Sequence, residues 1–191
     1  MNTLTNILAD FEQDLTYYEG IYRILDFSLI LSNTTYSNIK MDNLDTEWVF
    51  LKKDQASDFL KLSVSDYERA MHPEGEFRTI VIGLFVAQIY NLWEDKYRSV
   101  IAAQQCPPKS KEEFKNDFFG DLGKLRRRIT HCNFAHGKDL EKIKSFSFLN
   151  DDEMIKIRES DFEKILELVR DELKKFKKNE KPTPCTPKLP G

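Results

Sequence analysis

The sequence predicts a mainly all-α protein, a helical bundle with a short β-hairpin at its margin near residues 144–158. Three observations point there. Apolar residues recur at spacings of three and four along several long stretches, the period of a helix with one buried face. Only seven glycines and seven prolines punctuate 191 residues, and four of the prolines fall in the last ten, so the body lacks the frequent turns of a many-stranded sheet. Period-two alternation is concentrated in 144–158. The organisation expected is one helical domain over 1–178 followed by a proline-rich, loose tail, 179–191.

In chain order, Leu4, Leu8, Phe11, Leu15, Tyr18, Tyr22, Leu25 and Leu29 form the seam of a long first helix. The polar cluster Asn33, Thr34, Thr35, Ser37 and Asn38 should end it. Asp45-Thr46-Glu47 can cap a second helix through Trp48, Leu51, Gln55, Phe59 and Leu62. Ser65 and its neighbours can restart a helix before His72-Pro73-Glu74-Gly75 breaks it, which leaves His72 as a loop residue. Glu76 to Gln105 is the most apolar helix, hydrophobic nearly all round up to Trp93, and belongs at the centre of the bundle. Cys106-Pro107-Pro108 terminates it.

Ser110 and Glu113 have the spacing of a capping box for the next helix, which carries Phe114, Phe118, Leu122, Leu125, Ile129 and Cys132 on one stripe. Gly120 and Gly123 in its middle point to a kink or a close approach. Lys144 to Leu149 and Glu153 to Arg158 alternate around Asn150-Asp151-Asp152, the pattern of the hairpin. Ser160 or Asp161 can cap a last helix with Phe162, Ile165, Leu166, Val169 and Leu173 facing inward.

A content of 40% hydrophobic and 32% charged residues suits a folded protein with a charged exterior. The net charge of -3 excludes a chain that binds nucleic acid through its whole surface. Locally the balance reverses: Lys124 to Lys144 carries seven Lys or Arg against Asp139 and Glu141, a net of +5 in 21 residues. Cys106, Cys132 and Cys185 lack the spacing of a disulfide framework or zinc site, which fits a reducing, cytoplasmic setting. No basic leader opens the chain, and the longest uncharged run, Thr79 to Trp93, is 15 residues, too short and too polar for a bilayer. No membrane association, metal or cofactor is expected. Gly-rich phosphate loops, Asp/Glu metal clusters and Gly-x-Ser-x-Gly elbows are all missing from the sequence.

The informative stretch is Asp121-Leu122-Gly123-Lys124-Leu125-Arg126-Arg127-Arg128-Ile129-Thr130-His131. It resembles the signature of the HEPN family, helical domains in which an arginine, four to six residues and a histidine form the site of metal-independent ribonucleases. Upstream, Leu92-Trp93-Glu94-x-x-Tyr97-Arg98 resembles a stretch that packs beside that motif in some members. The resemblance makes Arg126 and His131 the catalytic pair, with Glu94 and Arg98 in support. The residue after the arginine, commonly polar and often Asn in the family, is Arg127 here.

These residue types suit the chemistry. Histidine, with an unperturbed pKa of about 6.5, exchanges protons near neutrality, and a guanidinium offers phosphate a planar fork of donors. Lys124, Arg127, Arg128, Asn133 and His136 are candidates for holding the substrate, with His136 alternatively a helix-end cap. Cys132, on the apolar stripe, reads as core.

On an ideal helix, residues five apart stand about 140° from one another, so Arg127 and Arg128 lie nearer His131's face than Arg126 does. Either His131 sits where the helix ends, or a second copy completes the site. The resemblance implies the second, since HEPN ribonucleases commonly pair two motifs in one cleft. Two functions of different classes follow. One is an RNA-cleaving homodimer, a toxin or phage-defence effector held by a regulatory or antitoxin protein. The other is a non-catalytic helical module that binds RNA, nucleotide or protein.

Overall fold

The computed structural model describes residues 3–42, 48–52, 59–72, 74–135, 137, 142–149 and 154–178. The order is α1 (Leu4–Asp42), β1 (Trp48–Lys52), β2 (Phe59–Ser63), α2 (Val64–Met71), α3 (Glu76–Asn91), a π-helical turn (Leu92–Tyr97), α4 (Arg98–Ala103), α5 (Asp117–His131), a 3-10 turn (Ser147–Leu149) and α6 (Glu159–Lys178). A helical bundle is what the apolar stripes build.

Its core is one cluster. Phe11 and Leu15 of α1, Ile82, Val86 and Ile89 of α3, Leu122, Leu125 and Ile129 of α5, and Ile165 and Val169 of α6 all join it. Aromatic rings tie the layers: Trp93 stacks on Phe119 with centroids 3.8 Å apart, and Phe11 stacks on Tyr97 at 4.3 Å. Such offset or parallel pairs add to the area they bury. Ion pairs bind α1 to its neighbours. Arg78 meets Asp26 at 2.7 Å, and Arg170 reaches both Glu12 (2.8 Å) and Glu19 (2.7 Å).

The segment from α3 to α4 is continuous, but its middle is not α-helical. The Arg98 amide donates to Trp93 O, a bond to the fifth residue back rather than the fourth. Such a turn widens the helix locally, and π turns inside α-helices recur at functional sites. Here Leu92, Trp93 and Tyr97 are all buried while Glu94 and Arg98 turn toward α5.

Several boundaries differ from the sequence expectations. The helix expected through Trp48 and Leu62 is instead the antiparallel pair β1–β2, registered Trp48↔Ser63 to Lys52↔Phe59. Short apolar runs satisfy both periods, and β pairing prevails here. The cluster at 33–38 does not stop α1: Thr34 and Thr35 hydroxyls donate back to Ile30 O and Leu31 O, so they are satisfied inside the helix.

The Ser110–Glu113 box forms, with Glu113 N donating to Ser110 Oγ at 3.3 Å and Ser110 N to Glu113 at 2.9 Å. It closes only a single turn. α5 starts later, at Asp117, where Asn116 caps it by accepting from Phe119 N at 2.9 Å. α6 likewise starts at Glu159, with Asp161 reaching back to accept from the Arg158 amide.

The hairpin expected near 144–158 is not formed by its described residues. Ser147–Leu149 is a 3-10 turn, and Met154 makes an isolated antiparallel bridge with Ala135. The alternation there reflects burial of Ile155 and Ile157 along an extended segment. The expected hairpin turn at 150–152 and the tail 179–191 lie outside the described residues. Cys132 is a free thiol, whereas Cys106 is disulfide-bonded, so cysteine spacing gives no support to a reducing compartment. No described helix is long and apolar enough to cross a membrane.

Candidate functional site

α5 is fixed against α3 by two glycines. A Cβ at Gly83 would stand 2.6 Å from the Phe134 ring, and one at Gly123 would stand 2.8 Å from Tyr90. Both are closer than packed atoms sit. The two helices therefore approach more tightly than alanine would allow.

The C-terminal end of α5 is unusual. His131 is its last residue and Cys132 follows with φ -119°, ψ 14°. Asn133 and Phe134 then take positive φ values of 46° and 62°. Asparagine accepts that region readily, but a buried phenylalanine does so only when its surroundings hold it there. The Phe134 ring lies against Gly83 and Ile129, and its amide donates to Arg128 O at 3.0 Å. The chain thus turns sharply just past His131.

At that end Arg126 Nη1 and His131 Nε2 lie 3.3 Å apart. Of the two alternatives the helical wheel left open, His131 sits where the helix ends, and there Arg126 reaches it although Arg127 and Arg128 lie nearer its face. Wheel angles locate Cβ atoms, whereas the arginine side chain is long enough to reach the last residue of the helix. Guanidinium has donors and no acceptor, so the contact is a hydrogen bond only while Nε2 is unprotonated. That is the state of a general base.

The other arginines are differently engaged. Arg23, Arg69, Arg78, Arg98, Arg158 and Arg170 all pair with carboxylates. Arg126 meets an exposed imidazole instead, and its buried Nε has no hydrogen-bond partner among the described residues. Arg128 donates to Cys132 Sγ at 3.6 Å and its guanidinium covers the Cα of Gly137, so it is turned away from His131. Arg127 is exposed. Asn133 faces a separate cleft with Ile80, Met154 and Ile155. His136 lies outside the described residues.

Glu94 and Arg98 form the expected pair, Nη1 to Oε2 at 2.9 Å, but it does more than decorate the surface. Lys111 adds a second cation to Glu94 at 3.1 Å, and Arg98 Nε donates to Phe114 O at 3.1 Å, tying down the approach to α5. Burial alone would raise the Glu94 carboxyl; hydrogen bonds from Arg98 and Lys111 outweigh it and hold it below its ordinary value. The Tyr90 hydroxyl is raised first by burial and then by Glu94, with the Arg98 and Arg126 guanidiniums partly offsetting the rise.

Sequence reading did not single out Asp121. It is buried, and its Oδ2 accepts from Lys144 N (3.0 Å), Ser145 N (3.1 Å) and Ser145 Oγ (3.0 Å), while Oδ1 accepts from Lys124 Nζ at 2.8 Å. The Lys144 and Ser145 donors lie more than twenty residues on, which no local pattern reveals. An acid within a basic helix, on the turn before Lys124, was the only available signal. Lys124 is thereby ion-paired rather than free.

Burial opposes charge on Asp121, but the bonds from Lys124, Ser145 and Lys144 prevail and lower its pKa. Asp121→Ala should cost about 2–4 kcal/mol at neutral pH, because four donors lose a charged acceptor. A lowered pKa stabilises the fold above the ordinary carboxyl value and fades below it. Urea unfolding should therefore show the wild-type advantage shrinking as the pH falls below about 4.

Between α5, the π turn and the 142–145 segment lies a cleft of about 490 Å³. Tyr90, Glu94, Arg98, Lys115, Gly120, Lys124, Lys142, Lys144 and Ser145 line it. Among the described residues no three His, Cys, Asp or Glu side chains converge as metal ligands would. No protein-family model matches the chain, and neither a curated protein nor a solved structure matches it.

Proposed function

We propose that this chain is a metal-independent endoribonuclease in which His131 and Arg126 act together on one phosphodiester. The observation that carries the reading is the 3.3 Å contact between an exposed imidazole and a guanidinium that, among the described residues, pairs with no carboxylate. The Nε2 lone pair takes the proton of a ribose 2′-hydroxyl, whose oxygen attacks the adjacent phosphorus. Arg126, released from the ring as Nε2 is protonated, turns its donors to the charge gathering on the phosphorane. The P–O5′ bond then breaks, leaving a 2′,3′-cyclic phosphate. The departing 5′-oxygen needs a proton, and one helix end offers a single histidine for two transfers.

That shortfall favours a homodimer in which a second copy's His131 supplies the proton. The apolar surface is compatible with such pairing. Of the eleven exposed large hydrophobic residues described, six lie on α1 and three on α3, among them Ile24 at 68% and Leu84 at 60% exposure. Light scattering should report twice the chain's 22.5 kDa at micromolar concentration. A monomer that retains activity would count against the shared site.

A nuclease of this kind must be restrained in its own cell, so a toxin or defence effector under an inhibitory protein partner is the role that fits. The deciding experiment is incubation of the purified chain, free of any inhibitor, with labelled single-stranded and structured RNA, with and without EDTA. Cleavage to cyclic-phosphate ends that survives the chelator supports the reading. Absence of cleavage moves the function to a non-catalytic RNA-, nucleotide- or protein-binding module.

A further inference from the structure

The cleft beside Lys124 and the Arg126–His131 pair belong to one surface. Gly120, Lys124, Arg127 and His131 follow one another at spacings of four, three and four, and therefore share the outward face of α5. Along the axis they span about 16 Å. The cleft covers the first half of this face and His131 closes the second.

Its chemistry is that of an anion channel. Glu94 is already held by Arg98 and Lys111, and Asp121 by Lys124 and the 144–145 amides. Lys115, Lys142 and Lys144 line the cleft with no ion pair among the described residues, leaving Asp117 as the one acid there without a salt bridge. The floor is bare: a Cβ at Gly120 would meet nothing within 4 Å. One wall is rigid, because Asp121 grips the backbone that carries Lys144. A volume of about 490 Å³ is that of a small-molecule pocket and admits the backbone of a single strand, not the side of a duplex.

We infer that this cleft seats the single-stranded RNA segment next to the scissile bond, with Lys115, Lys142 and Lys144 on its phosphates and Gly120 beneath it. The inference rests on the ribonuclease reading for the meaning of the site, but its test does not require cleavage. The probe is a fluorescent six-nucleotide RNA with 2′-O-methyl riboses, which cannot be cleaved by 2′-hydroxyl attack. Its binding to the full chain is followed by anisotropy across a salt series.

Gly120→Glu adds a carboxylate where space is open, so folding should persist by circular dichroism while the dissociation constant rises about tenfold or more. Lys142→Ala with Lys144→Ala should flatten the salt dependence by about 1.4, two contacts at about 0.7 each for a single strand. A control pair on the last turn of α6, Lys177→Ala with Lys178→Ala, should bind as the wild type does. Unchanged binding in the Gly120 and Lys142/Lys144 variants would overturn the inference. So would a wild type that binds no hexamer, or that binds duplex RNA equally well. Variant-sensitive binding by a wild type that cleaves nothing would uphold the cleft and sink the ribonuclease reading alone.

Discussion

His131→Ala is expected to lower RNA cleavage by about 10²- to 10⁴-fold, the usual worth of a positioned acid or base, while changing the unfolding free energy by less than about 0.5 kcal/mol. The side chain is exposed and touches Arg126, so its removal leaves no cavity. Arg126→Ala should fall comparably, since charge stabilisation in the transition state commonly supplies a few kcal/mol. Arg126→Lys should recover little, because an ammonium lacks the planar fork that binds two phosphate oxygens at once.

Single-turnover rates under saturating RNA separate this from weaker binding. A defect confined to KM would place His131 among the substrate contacts and remove it from proton transfer. Activity that disappears with EDTA, or that survives His131→Ala, would refute the mechanism.

The bundle was legible because its helices bury one face each, and burial at the helical period leaves a repeating mark in the letters. The inner residues of α6, Phe162, Ile165, Leu166, Val169 and Leu173, are all buried as their spacing required. The β1–β2 pair was not legible, since Trp48, Leu51, Phe59 and Leu62 fit a helical wheel as well as two strands whose pairing partners lie up to fifteen residues apart.

At the proposed site, the resemblance in residue types and order pointed to Arg126 and His131, but their contact depends on side-chain reach and on where α5 stops. That stopping point is set by Phe134 lodging against Gly83, fifty-one positions earlier in the chain. Asp121 escaped notice for the same reason. Its role exists only once residues 144 and 145 have been brought to it.

The largest effect on stability should come from Trp93→Ala, at about 3–5 kcal/mol. Trp93 is 2% exposed and stacks face to face on Phe119 at 3.8 Å, with Phe176 of α6 nearly parallel to it at 5.9 Å. Its removal therefore opens a void shared by the π turn, the first turn of α5 and the end of α6. Neighbouring rings cannot close such a void without leaving Phe114, which also packs on the indole at 5.9 Å.

Because Glu94 lies in the π turn, Arg98 follows it directly, and the two hold the approach to α5, the variant should also loosen the cleft. Binding of the uncleavable hexamer should weaken more than the unfolding of a small fraction of molecules explains. Urea denaturation followed by circular dichroism gives the stability change, and Trp93→Phe should restore more than half of it by keeping a ring in the stack. A loss below about 1 kcal/mol for Trp93→Ala, less than burial of an aromatic side chain is worth, would mean that these rings do not form the joint between the helices.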